Sequence, residues 1–168
     1  IIKNLPNIAL DDVPVGKDES SNKVIKKEGK IKEFDFKIKS HFELGEQNDS
    51  MDFKIATKLS GSRFVILKGK LALLERALIN FMLDIHTNKF NYTEISPPLI
   101  VTTDTMFGTG QLPKFEDDQF EIKLEKSNVR KFLIPTAEVS LTNLVRESIV
   151  DLKNLPLRFV AATPCFRK

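Results

Sequence analysis

Residues 71–101 read LALLERALINFMLDIHTNKFNYTEISPPLIV, and the switch of period inside this stretch decides the architecture. Leu71, Leu74, Leu78, Phe81, Met82 and Ile85 recur at helical spacing and trace one face of a helix over residues 71–89. Leu73, Ala77 and Leu83 widen the apolar surface well past a single stripe. A helix that is apolar on two faces is either deeply buried in its own chain or shared with a second subunit. A strand follows directly over residues 91–101. Pro97 and Pro98 cannot donate to a ladder, so they place it at an edge or at an interface where pairing ends.

Upstream, residues 1–16 read as an extended linker, with Pro6 and Pro14 blocking helix and Asn7 and Asp11-Asp12 favouring turns. Residues 17–39 carry eight lysines against five acids. Ile31, Phe34, Phe36 and Ile38 alternate there, which predicts a half-buried β-ribbon turning near Gly29. This ribbon is either a solvated hairpin or a phosphate-contacting patch. Ser40 with Glu43 three residues on forms a capping-box pattern, and Ile55, Ala56 and Leu59 keep helical spacing. Gly45 and Asp49-Ser50 interrupt this stretch, so two short helices are expected. Phe64–Leu67, bounded by glycines, reads as a short buried strand.

Downstream, three apolar segments end in polar tips: GTGQLPKFEDDQF at 108–120, FLIPTAEVSLTNL at 132–144 and LRFVAATPCFRK at 157–168. Residues 114–130 are of mixed charge and predict a loop with a β excursion through Phe120-Glu121-Ile122-Lys123-Leu124. A helix is expected from about Ala137 to Ser148, entered through Pro135-Thr136, then a turn at 152–156 and a final strand over 158–166.

The chain is 168 residues, 41% apolar and 29% charged, with a net charge of +3 and a pI near 8.9. That balance is soluble and globular, and the small positive excess permits nucleic-acid contact without arguing for it. A single cysteine, Cys165, excludes a disulfide framework and fits a reducing, cytoplasmic compartment. No apolar run approaches the ~20 residues needed to span a bilayer. The first residues lack a signal peptide's basic start and an initiator methionine, which suggests that sequence precedes them.

His41, His86 and Cys165 stand far apart in sequence with no metal-binding spacing, so no metal site is expected. Cys165, between Pro164 and Phe166 in an apolar run, reads as a buried, inert thiol. There is no GxSxG elbow, no GxxxxGK[ST] loop and no GxGxxG turn, so side chains would have to grip any nucleotide. Arg167, at the tip of a strand, is either a planar fork for phosphate or one half of a surface ion pair. Glu138, near a helix start, is either a capping carboxylate or a fixed anion for a substrate ammonium. Thr136 is either an N-cap or a group that orients a small polar ligand, and the GTG at 108–110 alone reads as a flexible loop.

Taken together, TGQLPKFEDDQF, IPTAEVSLTNL and LPLRFVAATPCFR resemble bacterial-type seryl-tRNA synthetase, and the likeness extends upstream through SGSRFVILKG, LERALINFMLDIHT and VPVGKDES. It covers nearly the whole chain in order. The resemblance implies an α+β fold, the class II aminoacyl-tRNA synthetase catalytic domain, with an antiparallel sheet flanked by helices. Residues 1–16 would be the linker after a tRNA-binding helical arm, and residues 17–168 the N-terminal part of the catalytic domain. Residues 71–101 would be motif 1, a dimer interface that includes Leu74, Leu78, Phe81 and the signature proline Pro98. Residues 157–168 would open motif 2, with Arg167 the catalytic arginine on the ATP α-phosphate. Thr136, Ala137 and Glu138 would contact serine, and the 108–115 loop would lie beside that site.

The implied chemistry is in-line attack of the serine carboxylate on the α-phosphorus of ATP, then transfer of the seryl group to the 3′-terminal ribose of tRNA(Ser). No covalent enzyme intermediate is needed. Positioning and charge stabilisation by an arginine and Mg2+ carry the step, and the remaining ATP and Mg2+ ligands would lie outside this chain. A pocket built around serine's hydroxyl rejects alanine because its polar groups would be left unpaired. The chain departs from the family pattern in lacking the arm, the rest of motif 2 after Arg167, and motif 3. It therefore reads as a fragment, and residues 1–168 alone are expected to give ATP–pyrophosphate exchange at background. A non-catalytic, synthetase-like dimerisation or binding module is the alternative.

Overall fold

In the computed structural model, which describes residues 5–123 and 129–168, contacts gather into two units, Ile1–Lys68 and Gly69–Lys168. In the first, residues 5–39 are exposed throughout and form no strand. Their regular structure is one 3-10 turn at Glu19–Ser21, opened by the Asp18 carboxylate accepting from Ser20 N at 3.0 Å. The β-ribbon expected over 17–39 is thus absent. Gly29 does take a left-handed φ of 79°, but a hairpin closed there would set KVIKK against lysines of the opposite strand, and like charges across a ladder repel. An isolated two-stranded ribbon is marginal even without that penalty.

Ser40 opens α1 (His41–Gln47) through a complete capping box. Ser40 N donates to Glu43 Oε2 at 2.7 Å, and Glu43 N donates back to Ser40 Oγ at 3.4 Å. β1 (Met51–Asp52) leads into α2 (Phe53–Ser60), capped by Asp52 accepting from Ile55 N at 2.9 Å. β2 (Ile66–Leu67) pairs antiparallel with β1, Met51 facing Leu67. Lys68 then ties the corner to Asp49 at 2.6 Å and Asp52 at 3.4 Å. The buried strand expected over Phe64–Leu67 is shorter than that, and its two residues are half-buried.

The second unit begins with α3 (Lys70–Phe90), which ends where Asn91 turns left-handed at φ 55°. The strand expected over 91–101 is two strands, β3 (Thr93–Glu94) and β4 (Ile100–Thr102), because Pro97 and Pro98 interrupt pairing between them. α4 (Thr103–Gly108) follows at once. β5 (Glu121–Ile122) realises the excursion expected through 120–124, of which Leu124 lies outside the described residues. β6 (Lys131–Leu133) runs antiparallel to both β4 and β5, giving the order β4-β6-β5. β7 (Phe159–Val160) pairs with β3 in parallel, Thr93 facing Phe159, while every other described pairing is antiparallel.

The helix expected from Ala137 to Ser148 stops early. α5 covers Ala137–Thr142 and gives way to a 3-10 turn at Asn143–Val145. The side chain of Asn143 explains the stop. Its Nδ2 donates to Val139 O at 2.8 Å, taking the carbonyl that the Asn143 backbone N–H would use in a continuing helix, while that N–H turns to Leu141 O. The final strand is likewise shorter than 158–166. Beyond Val160 the backbone makes no ladder but is still held, Phe166 N to Ile134 O at 2.9 Å and Lys168 N to Asp118 O at 3.1 Å.

Val101, Met106, Leu112, Phe132, Ile134 and Val139 form one buried cluster, with Leu99 packed against it. They come from β4, α4, the loop after α4, β6, the approach to α5 and α5 itself, so this core fixes those elements against one another. Phe132 has no exposed surface. Phe132→Ala is expected to destabilise this unit by about 3–5 kcal/mol, as lost burial adds to an unfilled cavity. Chemical denaturation checks this through a lowered midpoint.

Candidate active site

β6 delivers Ile134 into the core, and Pro135 stops the ladder there. The next residue, Thr136, is extended (φ −161°, ψ 149°) and caps α5, its Oγ1 accepting from Glu138 N at 3.4 Å. Thr136 and Ala137 are half-buried, and Glu138 is exposed. The tail after β7 lies against the same corner. Besides the Phe166 N bond to Ile134 O, Arg167 Nε donates to Pro135 O at 3.2 Å. Arg167 makes no ion pair among the described residues, and the Pro135 bond engages Nε rather than either terminal amino group. The structure thus sets Arg167 beside the Thr136-Ala137-Glu138 segment, although 28 residues separate it from Glu138 in sequence.

Two clefts flank this corner. One of about 820 Å³ lies between α3 and the tail, with Ile79, Met82 and His86 on one wall and Thr136, Ala137 and Thr163 on the other. The second, about 530 Å³, is lined by Glu138, Leu141, Thr142, Leu157 and Phe159. Val160 and Ala161 wall both. Thr136 and Ala137 therefore face one cleft and Glu138 the other, and Arg167 lines neither. Cys165 is exposed and lines the larger cleft, contrary to the buried thiol expected. Its apolar neighbours misled the reading. The tail alternates, with Phe166 half-buried and Cys165 turned outward.

The 108–115 loop is built rather than floppy. Gln111 N and Gly110 N bond back to Met106 O and Phe107 O at 3.0 Å, and Leu112 is buried in the core. Gly110 sits at φ 72°, where a side chain would strain the turn. Gln119 closes the far end, its Nε2 donating to Phe115 O at 3.0 Å. Arg130 clamps the region, with a bidentate bond to Glu121 at 2.8 Å through Nε and one amino group, and Glu116 at 2.5 Å through that same amino group. The hydrogen bond from Arg130 holds the Glu121 carboxyl below its ordinary range, and the Arg130 guanidinium is pushed further toward permanent protonation by Glu121 and Glu116. Because Glu121 is depressed in the folded state, its stabilisation is in place above the unfolded carboxylate value of about 4.3 and is lost as pH falls through the folded value. Arg130→Met is expected to flatten the acid limb of Tm against pH below about 5, most clearly at low salt; thermal melts from pH 3 to 7 check it.

Two anchors went unread in the sequence. Buried Ser140 donates from Oγ to Pro98 O at 3.0 Å, tying α5 to the proline that breaks β3 from β4. Asn143 donates to Thr105 O at 3.0 Å as well as to Val139 O, tying α5 to α4. Helical spacing marks neither, because a serine or asparagine late in a short helix looks like a surface residue. Leu74, Leu78, Phe81 and Pro98, expected at an interface, are all exposed. Among the described residues no three His, Cys, Asp or Glu side chains gather as a metal site, so no residue here is assigned to Mg2+. No described helix is long and apolar enough to cross a membrane.

No family model matches the chain. Curated relatives do: it is 64% identical over 168 residues to the serine--tRNA ligase of Pelagibacter ubique, covering all of this chain and 40% of that protein. It is 57% identical over 169 residues to that of Parvibaculum lavamentivorans, covering 99% of this chain and 39% of the relative. Among solved structures, it matches seryl-tRNA synthetase from Pyrococcus horikoshii complexed with ATP at a TM-score of 0.79 and 35% identity, over 99% of this chain and 41% of that one. It also matches the cytoplasmic serine-tRNA ligase of Naegleria fowleri in complex with AMP at a TM-score of 0.83 and 25% identity, over 99% of this chain and 39% of that one. The fold is that of the class II aminoacyl-tRNA synthetase catalytic domain. The chain spans about 40% of the length of the curated relatives it matches. Within that class it belongs to the seryl-tRNA synthetase family.

Proposed function

We propose that this segment supplies the serine-contacting corner, the first motif 2 arginine and the motif 1 interface of a serine–tRNA ligase. The observation that carries this reading is the contact of Arg167 with Pro135 O, one residue before Thr136. It sets an arginine fork beside a short segment, Thr136-Ala137-Glu138, able to hold an amino acid. In the proposed step, Glu138 balances the ammonium of serine and Thr136 orients the amino acid. Arg167 takes charge on the α-phosphate as the serine carboxylate attacks, releasing pyrophosphate. The terminal ribose hydroxyl of tRNA(Ser) then displaces AMP from the seryl-adenylate. A preorganised fork stabilises charge as it develops without reorganising at the moment of reaction. ATP brings its own Mg2+, for which the described residues offer no carboxylate cluster.

The reading extends to a homodimer built through α3 and Pro98, acting in the cytoplasm. In support, the Leu74, Leu78 and Phe81 face of α3 is solvent-exposed in the single chain, while Glu75, Ile79, Met82 and His86 line the larger cleft. The test is aminoacylation by a full-length chimera in which residues 1–168 replace their counterpart in the 64% identical relative. Charging of tRNA with serine, and not with alanine or threonine, is the expected result. Failure to charge with serine, in a chimera that folds and dimerises, would refute the proposal.

A further inference from the structure

Asn143 sits at the junction of two elements that the proposed function needs in register. Both of its amide hydrogens are used, one on Thr105 O in α4 at 3.0 Å and one on Val139 O in α5 at 2.8 Å. Its Oδ1 is approached by Arg146 at 3.4 Å. The fit on the other side is equally tight. A Cβ placed on Gly108, the last residue of α4 and the first of the 108–115 loop, would lie 2.5 Å from Asn143 Oδ1 and 3.3 Å from its Cγ. Real carbons do not approach an oxygen so closely, and this amide cannot swing aside without giving up its carbonyl partners. The backbone at Gly108 lies outside the left-handed region, so conformation does not require glycine there. The requirement is the amide of Asn143.

We infer that Asn143 is a positioning residue for serine binding. Through the Gly108 contact it fixes the 108–115 loop against the helix that carries Thr136, Ala137 and Glu138. The inference rests on the functional reading above. Arg167 does not touch this junction: its side chain bonds to Pro135 O, and the neighbouring Phe166 N bonds to Ile134 O. A disturbed junction therefore acts on serine and leaves ATP alone. Misplacement of about 1 Å away from the reacting atoms costs on the order of a hundredfold when geometry limits the reaction.

Asn143→Asp keeps the shape but turns lone pairs toward two carbonyls. Gly108→Ala disturbs the same contact from the opposite side, and on helix propensity alone it should favour α4. In the full-length chimera, each is expected to raise KM for serine in ATP–pyrophosphate exchange by about ten- to a hundredfold. KM for ATP should stay within about twofold, with kcat referred to titrated active sites. A purely structural role would lower the active fraction and leave both KM values unchanged, and that outcome overturns the inference. So does a parallel rise in both KM values. If the chimera with the unaltered segment shows no serine-dependent exchange, the functional reading falls and this inference with it. Normal exchange there, with unchanged serine KM in both variants, removes the positioning role alone.

Discussion

Arg167→Ala is expected to lower kcat for serine-dependent ATP–pyrophosphate exchange in the full-length chimera by about 10²–10³-fold, the usual cost of removing one preorganised donor from a charge-developing centre. The loss should come without a matching loss of stability. Arg167 is exposed, and its side-chain bond among the described residues reaches the carbonyl of buried Pro135. Losing one such bond shifts stability by about 0.5–1.5 kcal/mol, well under the expected loss of transition-state stabilisation. Arg167→Lys separates charge from geometry. Lysine keeps the positive charge but has neither the Nε bond to Pro135 nor a planar fork for two phosphate oxygens. It should fall between wild type and alanine in kcat. Pre-steady-state exchange with a melting curve for each variant checks both halves of the prediction, and a variant that melts normally yet retains full kcat would remove Arg167 from the mechanism.

Leu78→Asp is expected to break the proposed dimer. Leu78 is 48% exposed and Phe81 59% exposed in the single chain, on a face of α3 that does not line the larger cleft. Burying the exposed half of a leucine contributes about 0.8–1.5 kcal/mol. A two-fold interface uses the residue twice, so losing both copies weakens association by roughly 1.5–3 kcal/mol, or about 10–10²-fold in Kd. Two desolvated carboxylates add to that. Because the side chain is exposed in the isolated unit, folding of the monomer should survive. Sedimentation equilibrium across micromolar concentrations reads the result directly. A Leu78→Asp protein that stays dimeric with an unchanged Kd would move the interface off this face of α3.

Much of this architecture is legible in the sequence because it depends on local chemistry. The Ser40 and Glu43 capping box, the helical period from Leu71 to Ile85 and the Thr136 cap are encoded within a few residues of where they act. The misreadings share a cause. Alternation at Ile31, Phe34, Phe36 and Ile38 states what a strand would look like but does not supply a partner, and in the structure these residues stay exposed. Apolar neighbours around Cys165 suggested burial within a strand, yet the chain beyond Val160 forms no ladder, and Cys165 is exposed along the cleft. The end of α5 depends on one side chain competing with the backbone for Val139 O, which helix periodicity cannot register. The candidate site is legible for a different reason. Thr136-Ala137-Glu138 and Arg167 could be named from motif resemblance, but their meeting at Pro135 is a tertiary fact, carried by Phe166 N on Ile134 O and Arg167 Nε on Pro135 O.

The most direct test of the central claim, that this corner activates serine, is amino-acid-dependent ATP–pyrophosphate exchange by the full-length chimera carrying the unaltered residues 1–168. The account predicts exchange that depends on serine, with alanine lower by about 10⁴-fold or more because a site built to bind a hydroxyl rejects the analogue lacking it. Exchange supported equally by alanine, or none with serine from a folded and dimeric chimera, would contradict it.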